Sequence, residues 1–64
     1  GPGHAYNEVG LYQRAIQDFD KYIQFDPNSA MVYHSRSIAY RKLGQDEKAD
    51  ADKAKACSLD KQYC

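Results

Sequence analysis

Apolar side chains return at helical spacing in the first half of this chain. Ala15, Ile16, Phe19, Tyr22 and Ile23 fall three and four residues apart, so they line one side of a helix. Val32, Tyr33, Tyr40 and Leu43 form a second such stripe, and an alanine-rich stretch follows. Stop and start signals separate the stretches. Asp26 precedes Pro27, which disfavours a continuing helix, and Asn28 or Ser29 is suited to cap the next one. Gly44 supplies the left-handed residue that ends a helix, while Asp46 and Glu47 suit the positive N-terminus of another. The pattern predicts helices near 12–25, 29–43 and 46–60, with a helical remnant at 5–9. The fold class is all-α.

The same pattern occurs twice. A shift of 34 residues lays Ala5 on Ala39, Tyr6 on Tyr40, Gly10 on Gly44 and Ala15 on Ala49. Asp18 then meets Asp52, Lys21 meets Lys55 and Asp26 meets Asp60, with Val9 on Leu43 and Phe25 on Leu59 as conservative matches. Identities at small, aromatic and helix-end positions, all at one fixed period, point to a stacked helical repeat.

These residues resemble the tetratricopeptide repeat (TPR), a helix A–turn–helix B unit. "YQRAIQDFDKYIQFDPN" resembles helix B with its closing Asp-Pro turn, and "AYRKLG" resembles the end of helix A. The resemblance implies antiparallel helix hairpins of a right-handed α-solenoid, about one and a half repeats long. Residues 1–4 read as a remnant of tag cleavage. Residues 5–27 hold a remnant of helix A and the helix B of one repeat, and 28–62 hold a second repeat with a C-terminal capping helix. Ala15 and Ala49 sit where helices cross closely, with Tyr6, Tyr12, Phe19, Tyr33 and Tyr40 as bulky partners. The chain departs from the family at Tyr22, Ser37, Lys53 and Lys61. The polar last helix, with Asp50, Asp52, Lys53 and Lys55, fits the end of an array.

Charge and composition remove several functions. Lys plus Arg and Asp plus Glu both number 9, which favours neither nucleic acid nor a membrane surface. Sixty-four residues make one small domain with little room for a catalytic cavity. No phosphate loop, nucleophile elbow or acid–base pair is present, so an enzyme, a cofactor and a metal site are not expected. His4 and His34 are 30 residues apart and have no ligand at zinc-motif spacing. Asp50 and Asp52 read as solvated charges. Cys57 reads as a small buried hydrophobe and Cys64 as an exposed thiol, because a continuous helix would hold them about 10 Å apart. With no signal-peptide pattern, a reducing, cytoplasmic setting is expected.

What remains is a surface. Between Asp26 and Asp46 there is no carboxylate, while Arg36, Arg41 and Lys42 lie in that gap. In the TPR arrangement helix A lines the concave face, and the matching positions are Met31, His34, Ser35, Ile38, Arg41 and Lys42, with Asn7 and Glu8 from the remnant. That face suits a protein or peptide partner of acidic character. The positions matching the clamp that grips chaperone tails hold Met31 and Ser35, and Arg36 is turned by about 100° from it, so no such clamp is assigned. The alternative is self-association as a homo-oligomer, through Ala15, Phe19, Tyr22 and Ile23, which lack a full helix A to cover them.

Overall fold

The computed structural model describes residues 2–64, and side chains from Glu8 onward. Helix α1 spans Pro2–Phe25, α2 spans Ala30–Lys42 and α3 spans Asp46–Leu59, followed by a 3-10 turn at Lys61–Tyr63. The described residues contain no strand. Helix α2 packs most extensively on α3, as an antiparallel hairpin, and also on α1. The buried apolar residues are Val32, Tyr33 and Ala39 of α2 with Ala49 and Ala56 of α3. Both of these alanines are 0% exposed, so a methyl group is all that fits between the two helices.

Each predicted boundary that rested on a local signal lies close to the observed one. Pro27 follows α1, and the Asp26 carboxylate accepts the Asn28 amide at 3.1 Å to form the turn. Ser29 stands at the N-cap of α2, where its side chain makes no capping hydrogen bond. The Tyr33 hydroxyl donates to the Pro27 carbonyl at 2.8 Å and ties the turn to the core. At the other end Gly44 has φ +76°. The Gln45 amide reaches the Tyr40 carbonyl at 2.9 Å and the Gly44 amide reaches that of Arg41 at 3.0 Å, the paired closure of a Schellman motif.

The remnant at 5–9 is not separate: α1 runs without interruption through Gly10. A glycine inside a helix costs only about 1 kcal/mol relative to alanine, and no proline stands there to stop propagation. Gly44 is the sole glycine with positive φ among the described residues, so the two equivalent glycines differ in conformation. Gly44 has a following helix that folds back onto α2. At Gly10 no such fold-back occurs, and continuing the helix keeps its backbone hydrogen bonds. Among the described residues no helix is long and apolar enough to cross a membrane.

The cysteines also depart from expectation. Cys57 and Cys64 form a disulfide with their Cα atoms 4.5 Å apart, so neither is a free thiol. The expected separation assumed an unbroken helix, whereas α3 ends at Leu59 and Asp60 is extended at φ −154° and ψ 117°. The Asp60 carboxylate accepts the Gln62 amide at 3.0 Å, and the 3-10 turn brings residue 64 back beside the last turn of α3.

Candidate functional site

The stripe of α1 that is half-buried consists of Tyr12, Ala15, Ile16, Phe19 and Ile23, and the neighbour of α1 is α2. The four residues expected for self-association are therefore divided. Phe19 and Ile23 lie on the face toward α2, Ala15 lies at its edge, and Tyr22 is exposed. Tyr6 and Asn7 fall outside the described side chains, and Glu8 is exposed on α1.

Three helices meet at Arg36. Its Nε and Nη2 donate to the two carboxylate oxygens of Asp52 on α3, both at 2.7 Å, and its Nη1 donates to Asp20 on α1 at 2.8 Å. The rings of Tyr33 and Tyr40 each lie 5.6 Å from the guanidinium carbon. The fork geometry of arginine suits this paired contact, which lysine could not make. The bond to Asp52 holds the Arg36 pKa above its ordinary value, against the opposing effect of burial.

Asp52 is thus not a solvated charge: it is 6% exposed. Residues 49, 52 and 56 share one face of a helix, and the small Ala49 and Ala56 on either side let α2 come close enough to bury the carboxylate. Asp50, on another side of α3, is exposed as expected. Arg36 was passed over as a functional residue in the sequence. The usable signal was Asp52 itself, an acid set among buried-face alanines and matched by Asp18 one period earlier.

Tyr40 lies between two cations, with the Lys48 ammonium also 5.6 Å from its ring. Burial is the main influence on its hydroxyl and raises its pKa above 10.0, while Arg36 acts in the opposite direction. The fold therefore favours the neutral phenol more than the unfolded chain does. Stability from this group is complete below pH 10 and is lost as pH climbs from there through the raised folded value. Chemical denaturation between pH 9 and pH 11 should show a smaller alkaline loss in Tyr40→Phe than in the parent chain.

A groove of about 610 Å³ opens between α2 and the C-terminal part, lined by His34, Ser37, Ile38, Arg41, Lys42, Lys53 and Tyr63. It gathers four of the residues expected on the concave face, His34, Ile38, Arg41 and Lys42. Met31 and Ser35 are not in its lining. Tyr63 and Lys53 join it from the other side, placed by tertiary folding that the helical periodicity does not contain. The Tyr63 ring packs on His34 with centroids 4.9 Å apart, which closes one end of the groove.

Its cations are not equivalent. Arg41 already donates to Asp50 at 2.7 Å and has Asp46 at 3.6 Å, and the bond to Asp50 raises its pKa. Lys42 and Lys53 have no ion-pair partner among the described residues.

Comparison with known families agrees with the geometry. One tetratricopeptide-repeat model matches residues 18–51, more than half of the chain, and a second matches residues 3–29. The first match runs from the middle of α1 through α2 into α3, and the second covers α1 and the turn after it. No solved structure matches the chain significantly.

Proposed function

Because this chain belongs to the tetratricopeptide-repeat family, whose helical hairpins serve as protein-interaction modules, we propose that it binds a partner peptide of acidic character in the groove beside α2. The observation that carries this reading is the pair of lysines, Lys42 and Lys53, unengaged in ion pairs among the described residues and set beside the apolar surfaces of Ile38 and Tyr63. A carboxylate entering there gains charge-assisted hydrogen bonds, and its neighbouring apolar side chains cover Ile38, which is 48% exposed. Arg41 contributes less than the sequence implied, since Asp46 and Asp50 already balance it. Lys53 takes its place.

Fluorescence anisotropy with a synthetic peptide alternating Glu and Leu tests the reading. Reversing both charges, Lys42→Glu with Lys53→Glu, should weaken binding at least about tenfold. Raising the salt from about 0.1 M to about 1 M should also weaken it, as the screening length falls from about 10 Å to about 3 Å. Unchanged affinity in the double variant would refute the assignment.

For the compartment, the disulfide is the discriminating feature. A reducing cytoplasm would keep Cys57 and Cys64 as thiols, whereas the bond persists in an oxidising compartment. The expected cytoplasmic setting thus predicts the dithiol form of this chain, which free-thiol labelling in cell extracts made under acid quench would detect.

A further inference from the structure

The groove has one wall whose place depends on a reducible bond. Tyr63 reaches the groove from the 3-10 turn and packs on His34 with ring centroids 4.9 Å apart. The hydrogen bonds that shape this turn are internal to it. The Asp60 carboxylate accepts from the Gln62 amide and from the Gln62 side chain, both at 3.0 Å. The Tyr63 amide donates to the Asp60 carbonyl at 3.1 Å, and the Cys64 amide to that of Lys61 at 3.0 Å. They set the shape of the turn but not its position, because the extended Asp60 interrupts the helical ladder of α3. The far end of the turn is tied back to α3 by the disulfide from Cys64 to Cys57. Cys57 stands one helical turn beyond Lys53 on the same side of α3. The crosslink thus joins the two elements that bring Lys53 and Tyr63 to the groove.

We infer that this disulfide is a redox gate on the peptide groove. The crosslinked form presents Tyr63 as a wall and binds, and the dithiol form releases that wall and binds weakly. The gate rests on the groove taking an acidic peptide and adds the regulation of that site. Cys64 is exposed and Cys57 is half-buried, so an attacking thiolate meets the Cys64 sulfur first. A small dithiol supplies the electrons. Its first thiolate displaces Cys57 from Cys64, and its second then displaces Cys64. The dithiol leaves as a cyclic disulfide, and its two protons end on Cys57 and Cys64. Both cysteines lie outside the buried set of Val32, Tyr33, Ala39, Ala49 and Ala56, so opening the bond loosens the turn and spares the contact of α2 with α3. A wall in place for only part of the time lowers the apparent affinity by that fraction. The coupling is reciprocal: a peptide that prefers the walled groove protects the disulfide by the same factor.

Fluorescence anisotropy with the Glu-Leu peptide, on the oxidised chain and in dithiothreitol, tests the gate. Reduction should weaken binding at least about fivefold, while helical circular dichroism shows the three helices still folded. Cys57→Ser with Cys64→Ser should bind as weakly as the reduced parent and ignore the reductant. Tyr63→Ala with its disulfide intact should be equally weak and lose nothing further on reduction, which separates the wall from any direct effect of the thiols. In mixtures of reduced and oxidised dithiothreitol, saturating peptide should move the reduction midpoint toward more reductant by the same factor. Equal affinity of the oxidised and reduced parent would overturn the gate and leave the groove assignment standing. So would a further loss on reducing Tyr63→Ala. An oxidised parent that does not bind the peptide would overturn the groove assignment, and the gate with it.

Discussion

Asp52→Ala should lower the unfolding free energy by about 3 kcal/mol, whereas Asp18→Ala, the same change one period earlier, should cost less than about 1 kcal/mol in dilute solution. The residues are equivalent in sequence and opposite in environment. Asp52 is buried and holds the Arg36 fork with two 2.7 Å bonds, so its loss leaves a largely covered guanidinium short of its main partner. We place the cost at the low end of the range for breaking a buried pair, because Asp20 still contacts Arg36 at 2.8 Å and the Arg36 side chain is 18% exposed. Asp18 lies in solvent beside Arg14, where an ion pair three or four residues along a helix contributes little. A chain of 64 residues has about 3–10 kcal/mol of stability in all, so a loss of about 3 kcal/mol removes between about a third and all of it. Urea titration followed by helical circular dichroism measures both. Similar losses at the two positions would show that burial by α2 is not what distinguishes them. Replacing Arg36 with Met and Asp52 with Leu together should recover most of the loss, since two apolar groups leave no charge uncompensated.

Reducing Cys57–Cys64 should remove about 2 kcal/mol and release one wall of the groove. The bond closes a short loop across seven positions, for which restriction of the unfolded chain amounts to about 2 kcal/mol. The 3-10 turn it secures packs mainly on α3, and Tyr63 within that turn covers His34. Without the crosslink, the turn retains its own backbone hydrogen bonds from the Tyr63 amide to Asp60 and from the Cys64 amide to Lys61, the Asp60 carboxylate bonds to Gln62, and the ring contact. Urea unfolding with and without a dithiol reductant, repeated on Cys57→Ser with Cys64→Ser, gives the stability difference. Proton shifts of the Tyr63 and His34 rings report the groove wall. An unchanged midpoint together with unchanged ring shifts would mean that the turn holds itself in place.

Most of the helical layout was legible because it follows from local rules. Pro27 and Gly44 act on their immediate neighbours, and the boundaries of α2 and α3 came out within one residue at each end. Gly10 was misread for the same reason: the local signal was a glycine in both repeats, but whether it turns depends on having a helix to fold back upon. The groove was half legible. Helical spacing put His34, Ile38, Arg41 and Lys42 on one helix, yet Lys53 arrives through the packing of α3 on α2, and Tyr63 from the turn that follows the end of α3.

By itself, then, the amino-acid order determined the helical period, the turns and the repeat family, since each rests on residues within a few positions of one another. Tertiary structure alone decided that Asp52 is buried and Asp18 is not, that Cys57 reaches Cys64, and that Arg36 joins three helices. The physical reason is that burial and pairing depend on what lies opposite. Asp20 and Asp52 each stand 16 positions from Arg36, and only the packing of three helices brings those charges within hydrogen-bonding distance.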